Sequence, residues 1–214
     1  MTLSDLIDVL RRQMLRDYAE PSLWSDPELT RHLNEAQVLF ARHTHILRDD
    51  EPPVAEIVTE PGVARYELDP AVIHVVDVWD DTGRSLRPLS RKDLPRMPGN
   101  GRPRAFTADA GAHQLRVAPP PDEAYTLNML VARKPLDPLE EPEDEPEIPE
   151  EYHADLCLYA AWKALMNNGP EGSDQASADQ FHAEWKLRLR DVKREVYHLR
   201  AGTATRVMPN PANR

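Results

Sequence analysis

Cys157 is the only cysteine in a chain of 214 residues. An internal disulfide needs two thiols and a cysteine-based zinc site several, so both are excluded, and a reducing compartment is consistent with this usage. Glycine is scarce as well, with 8 residues against 21 prolines, so connections should be stiff and extended rather than hinged. Phosphate-cradling loops need glycine wherever backbone amides approach the ligand, and neither Gly-x-Gly-x-x-Gly nor Gly-x-x-x-x-Gly-Lys occurs. The densest glycine pair, Gly99-Asn100-Gly101, lies between Pro98 and Pro103 and reads as a loop.

No run approaches the roughly 20 apolar residues of a membrane helix. Residues 1–10 alternate Asp with Leu instead of joining a basic segment to a hydrophobic one, so the expectation is a soluble protein without a signal peptide. Positive charge is in deficit: 26 Lys and Arg face 37 Asp and Glu, a net charge of -11. The molecule as a whole repels nucleic acid and anionic membrane, which disfavours a role in reading DNA. The length allows one core with a smaller satellite and leaves no room for two large catalytic domains. No repeat with a period between about 20 and 50 residues is present, which excludes a solenoid or propeller.

What is there begins with helix. Leu3, Leu6, Ile7, Leu10 and Met14 recur at helical spacing with Asp5, Asp8, Arg11 and Arg12 opposite, predicting an amphipathic helix over residues 3–17 that Pro21 stops. Ser25 and Glu28 form a capping-box pattern, with Trp24 and Leu29 placed as a hydrophobic staple, and predict a second helix over 26–47. Its stripe of Leu29, Leu33, Ala36 and Phe40 suits packing on the first helix as a hairpin. Near the other end, Pro149 suits a first helical turn, and Tyr152, Leu156, Cys157, Tyr159, Ala160, Trp162, Leu165 and Met166 are apolar on nearly every side, which predicts the most buried helix of the protein. Asn168-Gly169-Pro170 ends it. A last helix over about 173–200 carries Phe181, Trp185, Leu189, Val192, Val196 and Leu199 at steps of four and three, and would span on the order of 40 Å.

Between residues 52 and 135 the period shortens. Runs at 56–59, 64–68, 73–79, 104–107, 113–117 and 125–132 carry β-branched and aromatic residues between turn signals, predicting about six strands. Short connections favour antiparallel pairing, hence a small sandwich or partly open barrel. Residues 137–151 interleave nine acids, among them Glu140, Glu141 and Glu143, with prolines, and predict an extended, self-repelling arm. The fold class is therefore α+β: a helical bundle over 1–50 and 150–200, a β-rich insertion over 51–135, an acidic arm over 136–149 and a tail over 201–214.

Reactive constellations are weak. Glu150 and His153 have the Glu-x-x-His spacing of carboxylate-bridged metal sites on bundle helices, but a second such motif and further inward carboxylates are missing. Glu150 belongs to the acidic run, where it favours the helix dipole. Cys157 sits among large apolar residues, where burial leaves a thiol inert, and no Gly-x-Ser-x-Gly elbow is present. No catalytic residue, metal or cofactor is assigned. Basic residues gather on the last helix at Lys186, Arg188, Arg190, Lys193, Arg194 and Arg200, suiting a solvated face or an acidic partner, for which the arm is a candidate within a subunit or between neighbours. The tail, with Arg206, Val207 and Met208, cannot fold alone and is a second candidate contact.

This order of elements, with a Trp24-Ser25-Asp26 helix start and an Ile148-Pro149-Glu150-Glu151-Tyr152 lead into Ala160-Ala161-Trp162-Lys163-Ala164-Leu165, resembles the head-to-tail adaptor (connector) proteins of tailed bacteriophages, especially short-tailed ones. Gly62-Val63-Ala64-Arg65-Tyr66-Glu67-Leu68-Asp69-Pro70, leading into residues 73–78, is similar to the strand, loop and strand that set a β-unit on the family's bundle. The resemblance implies a structural virion protein of the neck and no enzyme: a ring of identical subunits, typically twelve, assembled in the host cytoplasm. The ring would dock on the portal protein on one side and on tail or nozzle proteins on the other, with double-stranded DNA passing through unread. Another neck component, a stopper or tail-completion protein, is the nearest alternative, and a small metal-dependent enzyme a distant one.

Overall fold

Thr2 opens the first helix with a full capping box: its hydroxyl accepts the Asp5 N–H at 3.3 Å while the Asp5 carboxylate accepts the Thr2 N–H at 3.0 Å. Orphan amides of the helix start are thereby satisfied. The structure, a computed structural model, describes residues 1–90, 92, 99–109, 112–168 and 172–201. Helix α1, Leu3–Val9, continues as a π-helical segment, Leu10–Leu15, until Arg16 turns left-handed at φ 52°. The helical run ends two residues before the predicted position 17, and Asp17 organises the turn that follows. Its buried carboxylate accepts the N–H groups of Leu23 at 3.0 Å and Trp24 at 3.3 Å and pairs with Arg11 at 3.2 Å, pulling the chain back toward the next helix.

Helix α2, Asp26–Thr44, starts as its sequence predicts, with Ser25 Oγ accepting the Glu28 N–H and both Trp24 and Leu29 buried. It ends three residues before the predicted position 47. The Thr44 hydroxyl bonds back to the Phe40 carbonyl at 2.7 Å and accepts the Ile46 N–H, while His45 is left-handed at φ 56°. Competition of a threonine side chain for backbone groups favours such a stop. A 3-10 turn, Glu150–Tyr152, leads into α3, His153–Asn168, and the last helix is α4, Gly172–Ala201. Helix α3 buries Leu156, Cys157, Ala160, Ala161 and Ala164 completely and is enclosed by the other helices, as predicted. Its alanines let α2 and α4 approach. Phe40 then meets Tyr152 and Trp185 at centroid distances of 5.6 and 5.7 Å, and Tyr159 meets Trp185 at 5.5 Å. Such tilted aromatic pairs each contribute about 1 kcal/mol beyond their buried area.

Each of the six predicted β segments holds a strand: β2 Glu56–Val58, β3 Arg65–Glu67, β4 Val72–Asp80, β6 Ala105–Asp109, β7 Gln114–Ala118 and β8 Thr126–Arg133, joined by two two-residue strands, β1 Arg48–Asp49 and β5 Arg87–Pro88. They make two four-stranded sheets. In one, β4 runs antiparallel along β8, and β1 and β2 pair with residues 131–132 and 126–128 of the same strand. The other has the order β3-β7-β6-β5. Val72, Val75, Val78, Leu127, Met129 and Val131 of the first pack with Phe106, Leu115 and Val117 of the second in one shared core, a sandwich without a closed barrel. One pairing departs from the antiparallel expectation: β5 and β6 are parallel. Arg87 and Leu89 donate to the carbonyls of Arg104 and Phe106, both at 2.8 Å, so Pro88 sits between the donors, where its missing N–H leaves no gap.

The acidic arm also departs from its reading. Residues 136–149 have no regular element, but Leu139 and Ile148 are buried in the helical core. Two apolar side chains among the acids anchor it.

Candidate assembly surfaces

The arm is fixed at three places. Asn34 of α2 accepts the Leu139 N–H at 2.8 Å and donates to its carbonyl at 2.9 Å. The start of α1 donates two of its free amides to the arm, Leu3 to Asp144 at 2.7 Å and Ser4 to Pro142 at 3.0 Å. Arg133 at the end of β8 pairs with Glu147 at 2.5 Å and with Asp49 at 2.6 Å, tying the β-unit to the arm, while Glu147 also accepts the Leu136 N–H. The Asp144 carboxylate accepts the N–H groups of Glu140 and Glu141, both at 2.8 Å, and these bonds lower its pKa. Backbone and carboxylate bonds thus hold a tight turn whose outer side chains, Glu140, Glu141, Glu143 and Glu145, are exposed. Their carboxylates form no ion pair among the described residues.

The cations of α4 divide between two surroundings. Arg188 pairs with Asp155 of α3 at 3.0 Å, and Arg190 and Arg194 reach Asp191 at 3.5 and 3.9 Å. Burial raises the pKa of Asp155 against the pull of Arg188. Glu151, Asp155, Asp191 and Glu195 collect with Arg188 on this side. Lys186, Arg190 and Lys193 instead edge a groove of about 510 Å³ between α2, α3 and α4. Its floor is aromatic: Trp162 stacks on His182 at 3.9 Å with an interplanar angle of 4°, flanked by Tyr159 and Trp185. Burial and the charge of Lys186 lower the pKa of His182.

The sequence-predicted contact residues are thus divided. Glu140, Glu141 and Glu143 stand on the arm's outer turn. Lys193 and Arg190 face the groove, Arg188 is held by α3, and Arg194 lies beside Asp191. The structure brings the acids and the cations to different faces of the same subunit. Arg206, Val207 and Met208 lie outside the described residues, as does Gly202. Asn34 and Arg133 have roles that no local pattern announced, because their partners Leu139 and Asp49 are 105 and 84 residues away, and Asp17 organises a loop with partners six or seven residues off that no periodicity marks.

The reactive candidates are also dispersed. His153 is buried with Nε2 at 2.7 Å from the Ile148 carbonyl, while Glu150 is exposed and pairs with the Met1 ammonium at 3.4 Å, so the two do not face a common point. Among the described residues no three His, Cys, Asp or Glu side chains converge as metal ligands. Burial, with the Asp155 charge adding to it, pushes the Cys157 thiol up to about 12. A cleft of about 680 Å³ between α1, α2 and the arm contains Arg11, whose guanidinium bonds the Trp24 carbonyl at 2.7 Å and Asp26 at 2.6 Å. That cation closes the α1–α2 connection. No described helix is long and apolar enough to cross a membrane.

The fold is thus a helical bundle carrying a β-sandwich, with an exposed acidic turn and a separate groove edged by lysines. The chain matches the SU10 adaptor protein family over residues 1–210 and belongs to that family, a group of structural adaptors of bacteriophages. No curated protein matches the sequence.

Proposed function

We propose that the protein is the head-to-tail adaptor of a tailed phage, assembling as a ring of about twelve copies between the portal and the tail proteins. The family match over residues 1–210 carries this reading. A cyclic ring needs only one heterologous interface that closes, and a bundle with unlike flanks supplies the two halves of one. The net charge of -11 suits a channel through which DNA slides without being gripped by its phosphates. Residues 201–214, polar and rich in proline, dock on a neighbouring virion protein. The protein then resides in the virion neck, after assembly in the host cytoplasm.

Electron microscopy of the purified protein mixed with the portal of the same phage tests the reading. A ring added to one face of the portal supports it, and portals without added density overturn it. Deletion of residues 201–214 tests the tail, whose role is removed if portal binding is unchanged.

A further inference from the structure

The arm and the aromatic groove lie on opposite sides of α2. Asn34, which holds the arm, and His43, which lines the groove, are nine residues apart, about two and a half helical turns. One flank of the subunit therefore presents four exposed glutamates on a turn pinned by Asp144 and Asn34, and the other presents lysines over a Trp-His stack. Lys186 and Lys193, seven residues apart and on one side of α4, form no ion pair among the described residues, and neither do the four glutamates. Glu35, an acid near the groove, is engaged by Lys163 at 3.5 Å.

We propose that the acidic turn of one copy, Glu140 to Glu145, docks on the Lys186–Lys193 edge of the groove of a second copy, with the Trp162–His182 stack as its floor. The inference rests on the ring reading and assigns that ring its closing contact. Charge complementarity identifies the occupant: the turn carries four exposed glutamates on a backbone held by Asp144 and Asn34 and forms no ion pair among the described residues, whereas the acids on the other flank of α4 already lie beside Arg188, Arg190 and Arg194. A pinned turn loses little freedom on binding, and half-buried aromatics supply the desolvated centre that charge pairs at a rim need. Opposite flanks give a head-to-tail contact, which repeats around a ring and leaves no unlike ends.

Charge exchange tests it. One variant carries K186E and K193E, a second E140K, E141K and E143K, and all five positions are exposed, so both should fold with unchanged circular dichroism. Sedimentation of each, alone and on the portal, should show association between copies weakened at least tenfold. A 1:1 mixture should restore it, because each interface of an alternating assembly again joins opposite charges. Cysteines placed as E143C on one copy and K193C on the other should cross-link in the mixture, Cys157 being buried. Association of both variants at the wild-type level, or a mixture no better than its parts, overturns the docking while leaving the ring intact. Wild-type protein that stays monomeric even on the portal overturns both.

Discussion

Asn34 holds the backbone of Leu139 from both sides, accepting its N–H at 2.8 Å and donating to its carbonyl at 2.9 Å. One side-chain amide thus does for an acidic, proline-rich segment what a neighbouring strand does elsewhere. Gln37 completes the arrangement by donating to Asn34 Oδ1 at 2.9 Å.

Replacing Asn34 by Ala leaves the Leu139 amide and carbonyl without these partners and costs about 1–3 kcal/mol. The loss should appear in thermal melting, and a glutamate-specific protease should cut at residues 140–145 several times faster. An unchanged cleavage rate would show that the turn is held without Asn34.

Arg133 joins Asp49 of the β-unit to Glu147 of the arm, and all three side chains are largely buried. Removing the cation in Arg133→Ala strands two carboxylates and should destabilise by about 2 kcal/mol, less than a fully buried pair because water still reaches Glu147. Denaturant midpoints of Arg133→Ala and of the double variant with Glu147→Gln provide the check. The second substitution should recover part of the loss.

Asp80 closes the turn after β4. Its burial alone would raise its pKa, but bonds from the Thr82 hydroxyl, the Arg84 and Thr82 N–H groups and the Arg102 guanidinium outweigh this and bring it from 3.8 to about 2. A folded-state value below the unfolded one means that the carboxylate stabilises the fold above about pH 4 and that this stability is lost as pH falls toward 2. The contribution is about 2 kcal/mol. Urea midpoints should fall below about pH 4 for the wild type and fall less steeply there for Asp80→Asn.

Cys157, with its thiol pushed up to about 12 by burial, should not react with a thiol reagent at pH 8 in the native protein. Labelling should follow global unfolding, with a rate that rises with urea as the unfolded fraction does. Fast labelling without denaturant would show that α3 opens locally.

The helices and strands were legible because they rest on short-range periodicity. Leu3, Leu6 and Leu10 and the stepping of Trp185, Val192 and Val196 each state which face must be buried, and the structure buries them, while Ser25 marks where α2 starts. Strand positions were equally readable, but pairing was not: the bulged register of β4 turns Val72, Val75 and Val78 to the β-core and lets Ile73 pack on the helical one. Alternation in the sequence cannot announce a register shift, since the partner strand sets it.

The candidate surfaces divide in the same way. The sequence by itself determined that acids cluster in an arm and that cations gather on the last helix, because composition and spacing are local quantities. Only the tertiary structure decided that the arm is pinned to α2, that Arg188 and Arg194 pair with acids while Lys186 and Lys193 edge a groove, and that the two unpaired sets of charge face opposite ways. Those facts depend on Leu139 meeting Asn34 and Trp162 meeting His182, contacts between residues far apart along the chain that exist only once the cores have packed.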